Sequence, residues 1–214
     1  MAERDWNDSY AAGALPWDTG VPDEQLVAFV RAGRVAPGPT LEVGAGTGTN
    51  ALWLAQQGFD VLGIDLAPLA VERARAKAKA AQAAASAVRC RFEAHDFLAD
   101  PPAGSFAFVF DRGCFHVFDE PEERARFAAR VAERLAPGGV WLSLIGSTEG
   151  PPRDYGPPRR SARDVIDAVE PALAIDELAA VSFGAMGPAA ITATAWRCVA
   201  RRRDVPAQPS SRHP

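Results

Sequence analysis

Apolar positions along the chain recur with two different periods, and the periods take turns. Residues 41–43, 61–64, 105–110 and 140–145 are apolar runs of strand length, and 88–94 alternates apolar with polar. Between these runs the spacing is helical. Residues 50–57 follow a glycine turn at helical spacing. The stretch 68–85 is alanine-rich, with Glu72, Arg73, Arg75, Lys77 and Lys79 dispersed through it, so helix propensity rather than amphipathicity predicts the helix there. From Pro121 onward, Phe127, Val131 and Leu135 recur every fourth residue until Pro137-Gly138-Gly139 stops the run. Upstream, 22–31 reads as a helix: Pro22 suits the first helical position, Asp23 and Glu24 complement the dipole, and Leu26, Val27, Phe29 and Val30 supply an apolar side. Ser161 caps a helix running to Val169, and two strand-like segments, about 173–185 and 190–200, close the chain. Strands taking turns with helices predict an α/β domain.

The stretch 41–65 is where the rest converges. Leu41 and Val43 begin a strand, and Gly44, Ala45, Gly46, Thr47 and Gly48 let the backbone turn tightly with almost no side chain in the way. Asn50 opens the following helix. Val61 to Ile64 form a second buried strand that Asp65 closes, at the place where an acid accepts hydrogen bonds from a ribose diol. A dinucleotide fingerprint starting at Gly44 requires its third glycine at position 49, where this chain has Thr49. The run is G-x-G-x-G, with Glu42 just before it. That arrangement suits a ligand carrying an amino acid rather than a diphosphate.

Composition narrows the partners. The chain has 214 residues, 48% hydrophobic and 23% charged, enough for one ordinary domain with its own core. A formal charge of -4 leaves no broad electrostatic footprint for nucleic acid or an anionic membrane, so a small-molecule substrate is expected. Cys90, Cys114 and Cys198 lack the paired spacing of a zinc site and are odd in number. A reducing, cytoplasmic setting and no bound metal are the simpler expectations. There is no run of about 18 apolar residues to span a bilayer. Residues 1–200 read as a single domain, with about 1–35 as an N-terminal lid segment and 201–214 as a frayed tail. Residues 146–160, rich in glycine, proline and arginine, form a loop long enough to be a second lid.

A second informative stretch follows the aromatic run 105–110: Asp111-Arg112-Gly113-Cys114-Phe115-His116. An adjacent aspartate and arginine at a strand end either form a buried ion pair, which is costly to desolvate, or serve a site. The pattern E-x-G-x-G-x-G with Asp65 resembles motif I and the second strand of class I S-adenosylmethionine-dependent methyltransferases. Together with Asp111-Arg112-Gly113, the upstream Pro16-Trp17-Asp18-Thr19-Gly20 and the Gly150-Pro151-Pro152 loop, it resembles the thiopurine and thiol S-methyltransferase-like branch over most of residues 6–200. The resemblance implies a three-layer Rossmann-like fold: a seven-stranded, mostly parallel sheet whose last segments pair antiparallel. It implies S-adenosyl-L-methionine as cofactor and S-adenosyl-L-homocysteine as product. The expected cofactor contacts are Trp17, Glu42, Gly44, Ala45, Gly46, Gly48, Asn50, Asp65, Leu66, Asp96, Phe97 and Asp111. Among them Trp17 is either a surface anchor or a lid over the sulfonium. Asp96 either meets the adenine amino group, with Phe97 stacked nearby, or caps a turn; His95 is a solvated neighbour. Tyr10, Arg112, Phe115, His116 and Arg153 are the candidate acceptor contacts, and Asp111 and Arg112 the candidate catalytic pair.

Methyl transfer from a sulfonium is an in-line displacement with a good neutral leaving group, so alignment and exclusion of water dominate; positioning alone supplies about 7 to 11 kcal/mol. A thiol with a pKa near 8.5 is already a few per cent thiolate at neutral pH, so sulfur or selenium acceptors need the least machinery. Arg112 can hold a thiolate, and Asp111 can orient Arg112 or accept a proton. Cys114 reads as a small buried residue, and His116 reads more as packing than as a base. An O- or N-methyltransferase, a nicotinamide-dependent oxidoreductase and a non-catalytic nucleoside-binding domain are the competing readings. Either a monomer or a homodimer is compatible with the sequence.

Overall fold

The computed structural model describes residues 5–13, 15–84, 87–151, 156–186 and 191–203. Its centre is one sheet of seven strands. β1 (Pro39–Val43), β2 (Asp60–Asp65), β3 (Arg89–Ala94), β4 (Phe106–Arg112) and β5 (Leu135–Gly146) are parallel, and β7 (Ile191–Arg202) runs antiparallel between β5 and β6 (Leu173–Met186). The order across the sheet is β3-β2-β1-β4-β5-β7-β6. The chain therefore leaves β1 toward one edge and returns through β4 toward the other, which opens a crevice above the carboxyl ends of β1 and β4.

Helices cover both faces. α2 (Glu24–Arg31), α3 (Thr49–Gln56) and α4 (Pro68–Ala84) pack on one face through Leu26, Phe29, Ala51, Leu54, Ala74 and Ala78, with Phe108, Phe110, Leu142 and Phe183 from the strands. α5 (Pro121–Arg134) and α6 (Ala162–Val169) pack on the other through Phe127, Val131, Val165 and Val169, with Leu41, Val43, Val109 and Trp141. Successive strand residues thus serve opposite cores, and this decides where the charged residues at the strand ends can reach. Among the described residues no helix is long and apolar enough to cross a membrane.

Four details differ from the sequence reading. The helix expected from Pro22 starts at Glu24, because Asp23 is its N-cap and accepts the N–H of Gln25. A helix not foreseen, α1 (Trp6–Ala12), lies in the N-terminal segment with Asp5 as N-cap. β4 starts at Phe106 rather than Ser105, and it ends in Asp111 and Arg112, at the strand end where the sequence reading put them. Pro137-Gly138-Gly139 does not stand outside the strand: β5 begins at Leu135, and the register jumps from the pair Phe106–Leu135 to Phe108–Val140, so the Pro-Gly-Gly segment is a bulge within the strand. Most of the tail expected over 201–214, and Arg153, lie outside the described residues.

Candidate functional site

The glycine turn joins β1 to α3 and is closed by the acid at the end of β2. Asp65 accepts the N–H of Gly46 through Oδ2 at 2.8 Å and that of Ala67 through Oδ1 at 2.9 Å. One carboxylate thereby holds the turn and starts the next connection. With four acceptor positions on its two oxygens, the carboxylate keeps room for a further donor. Burial raises the Asp65 pKa, and the N–H groups of Ala67, Gly46 and Leu66 oppose that shift. Gly48 is the N-cap of α3 with φ +82°, and a Cβ there would stand 2.6 Å from Phe92. Only glycine fits both the left-handed backbone and the close approach.

Glu42 lies one step before this turn. Leu41 and Val43 face the α5/α6 core, so Glu42 faces α2 and α3, where it is 1% exposed. Its Oε1 accepts from Asn50 Nδ2 at 3.2 Å, while Oε2 is buried with no hydrogen-bond partner among the described residues. Burial pushes its pKa up to about 8, further raised by Asp65 and opposed by Asn50, the N–H of Ala51 and Arg112.

The N-terminal segment folds over the turn. Tyr10 is buried, its hydroxyl 3.1 Å from where a Gly46 Cβ would sit, and its ring is edge-on to Trp17 at 6.4 Å. Trp17 is also edge-on to Trp6 at 5.8 Å. Arg73 on α4 donates to the Tyr10 carbonyl, Asn7 accepts the N–H of Leu69, and Thr47 in the turn donates to Asp18 while accepting from Lys77. Tyr10, one of the candidate acceptor contacts, therefore stands over the glycine turn.

Asp111 and Arg112 are separated by the strand's alternation. Asp111, fully buried, faces the α5/α6 side: Oδ2 accepts Trp141 Nε1–H at 2.9 Å, and Oδ1 accepts the N–H groups of Cys114 and Phe115 at 3.2 and 3.1 Å. Burial raises it to about 6, opposed by the Ser143 hydroxyl, the N–H groups of Phe115 and Cys114 and the Trp141 indole. Arg112 faces the other side, where Nε donates to Asp23 Oδ2 at 2.6 Å, Nη1 donates to the Trp17 carbonyl at 3.4 Å, and the guanidinium stands 5.0 Å over the Phe183 ring. The two neighbours form no ion pair with each other, and Asp111 does not orient Arg112; Asp23 does.

The remaining candidates divide between core and surface. His116 is buried, with Nδ1 accepting the N–H of Gly146 at 2.8 Å and its ring edge-on to Phe183 at 6.0 Å. That bond leaves Nδ1 without a proton and places the proton of the neutral ring on Nε2. Phe115 packs into the core against Phe127 and Trp141, and Phe97 against Phe127 at 5.0 Å. Asp96 is exposed and caps a turn through the N–H groups of Leu98 and Ala99. Leu66 is 54% exposed beside Asp65, and Ala45 donates its N–H to Ile64 O across β1 and β2. Cys114 packs on Gly44, its thiol pushed up by burial. His95 bridges Glu93 and the Asp100 carbonyl. Asp23 was read only as a helix-dipole acid, and Phe183 and Trp141 were not singled out as site residues. Asp23 carried a signal, an acid at a helix N-cap, but its partner lies 89 residues away.

The family model for thiopurine S-methyltransferase matches residues 1–179. A probable thiol methyltransferase of Arabidopsis thaliana is 33% identical over 153 residues, 72% of this chain, and this chain spans only 65% of that relative. A thiocyanate methyltransferase of Brassica oleracea is 29% identical, covering 79% of this chain and 72% of its own. A solved structure from the conversion of a disulfide bond into a thioacetal group during echinomycin biosynthesis superposes with a TM-score of 0.75 at 28% identity, over 87% of this chain and 84% of that one. With the motif-bearing turn, the seven-stranded order and the family match spanning most of its length, the chain belongs to the thiopurine S-methyltransferase family.

Proposed function

We propose that this protein transfers a methyl group from S-adenosyl-L-methionine to a small soft nucleophile, a thiol or another sulfur or selenium acceptor, in a reducing compartment. The observation that carries the reading is the pairing, at one glycine turn, of a closing Asp65 carboxylate with the orphaned Oε2 of Glu42. The residues fit the cofactor: a ribose diol suits the open acceptor positions of Asp65, and an α-ammonium suits the Glu42 oxygen. The three cysteines are free thiols, which supports the reducing setting.

When bound, the cofactor supplies an electrophilic methyl on a sulfonium. The chain's own residues then have three tasks. Tyr10 and Trp17 cover the turn and keep water away, and aromatic faces there favour a cationic sulfur by roughly 0.5 to 2 kcal/mol. Arg112, held by Asp23 and the Trp17 carbonyl, presents its remaining N–H edge to the acceptor and lowers the acceptor's pKa by charge. His116 donates from Nε2 rather than removing a proton. An acceptor that ionises by itself suits such a site best. The names of the thiol and thiocyanate methyltransferase relatives support sulfur over oxygen.

The test is a screen of small thiols, selenols and phenols with labelled methyl donor, alongside titrations with S-adenosylhomocysteine and NADH. Turnover of thiols or selenols above phenols is expected. Turnover of phenols alone would reassign the acceptor atom, and binding of NADH without S-adenosylhomocysteine would overturn the cofactor.

A further inference from the structure

Glu42 is the buried ionisable group whose surroundings leave its charge unanswered. Asn50 bridges it to the rest of the site: Nδ2 donates to Glu42 Oε1, and Oδ1 accepts the N–H of Asp23 at 2.9 Å. Turning the amide over would break both bonds, so Oε1 is the hydrogen-bonded oxygen and Oε2 the one left to find a proton or a cation. The charged and titratable groups around it are Asp65 from β2, Arg112 from β4, Asp23 ahead of α2 and the Cys90 thiol of β3. α3 contributes no charge, only the Asn50 amide and the N–H of Ala51, which favour the ionised form without neutralising it. Arg112 is the one cation among them, and its guanidinium is already bound to Asp23. A buried carboxylate without a counter-charge is expensive to keep ionised, so it takes up a proton instead.

We propose that Glu42 is a proton-exchange site: a neutral carboxylic acid in the ligand-free protein that releases its proton to solvent when a ligand's α-ammonium group settles beside Oε2. The Oε2–H bond breaks, its electron pair stays on the carboxylate, and one positive charge enters as one proton leaves. The site thus admits an amino-acid-bearing nucleoside without gaining net charge, and discriminates against nucleosides that lack the ammonium. Asn50 is the positioning residue that assigns the exchange to Oε2. This inference rests on the cofactor reading above.

Its direction with pH follows from the free state. There the acid holds its proton up to a pKa of about 8, and the bound state must lose it, so affinity rises with pH and levels off above that value. The test is calorimetry with S-adenosylhomocysteine and with 5′-methylthioadenosine, which has the same nucleoside but no amino acid, in buffers of different ionisation enthalpy. At pH 7 at least about half a proton is released per S-adenosylhomocysteine, and affinity rises at least about tenfold between pH 6 and 8. 5′-Methylthioadenosine shares the ribose contact with Asp65 and serves as the baseline; it releases no proton through Glu42 and its affinity lacks this rise. In Glu42→Gln the difference between the two ligands disappears. Tight binding of S-adenosylhomocysteine at pH 7 with no more proton release than the control, or release unchanged in Glu42→Gln, overturns the inference alone. The wild-type comparison of the two ligands decides the matter even if the variant does not fold. Absence of any S-adenosylhomocysteine binding overturns the cofactor reading and this inference together.

Discussion

A single step along β4 places Asp111 and Arg112 in different environments with different duties. Asp111 needs two acceptor oxygens, one for the Trp141 indole and one for the two N–H groups of the turn after β4. Asp111→Asn offers only one, so a buried N–H is stranded at a cost of about 1 to 3 kcal/mol. Thermal denaturation should show a fall of roughly 2 to 12 °C, partly restored by adding Trp141→Phe. If turnover returns with stability in the double variant, Asp111 is a structural anchor; a stable but inactive double variant would return it to the chemistry. Its raised pKa stabilises the fold below about pH 4, and that contribution is lost as pH rises through about 6, so Asp111→Asn also flattens stability over that window. Arg112→Ala is expected to reduce turnover more than S-adenosylhomocysteine affinity, with some loss of stability because Asp23 is left buried and unpaired. Equal losses would put Arg112 on the cofactor side. Asp65→Ala removes the proposed ribose acceptor and two turn bonds together; titration should show affinity weakened roughly 10- to 150-fold, and unchanged affinity would sink the assignment.

At the scale of elements, capped and periodic segments were legible and unpatterned ones were not. Ser161 announced α6, where it forms a full capping box with Asp164. α1 was invisible because it is 7 residues long and buries only Tyr10, so it has no apolar stripe to read. The Pro-Gly-Gly segment was misread as a boundary because a bulge and a helix stop use the same residues. Part of the loop read over 146–160, residues 152–155, lies outside the described residues, and Gly146 belongs to β5; the closed neck was not foreseen: Gly146 and Arg160 pair across it, and Arg159 donates to the carbonyls of Ser147, Thr148, Gly150 and Pro151. A Cβ on Gly146 would stand 2.1 Å from Pro158 O. Gly146→Ala should therefore force the neck apart and shift the amide that fixes His116, lowering turnover and raising proteolysis within the loop. An unchanged digestion pattern and rate would contradict that.

In the whole molecule, the N-terminal segment is attached to the α/β body by contacts that converge on the glycine turn and α4. Removing residues 1–18 should leave the sheet and its far-UV circular dichroism intact, while S-adenosylhomocysteine affinity falls at least about tenfold with the loss of Tyr10 and Trp17. Retained affinity would mean the segment is a bystander. The sequence by itself determined most of the strands, the glycine turn and the acid that closes β2, because strand period, glycine geometry and an acid at a strand end are properties of neighbouring residues. Only the tertiary structure decided that Arg112 belongs to Asp23, that Asp111 belongs to Trp141, and that Glu42 has one oxygen without a hydrogen-bond partner among the described residues. Those outcomes depend on which face each residue of β1 and β4 presents and on what distant elements place there, and pairings between residues 30 to 89 positions apart leave no local pattern to read.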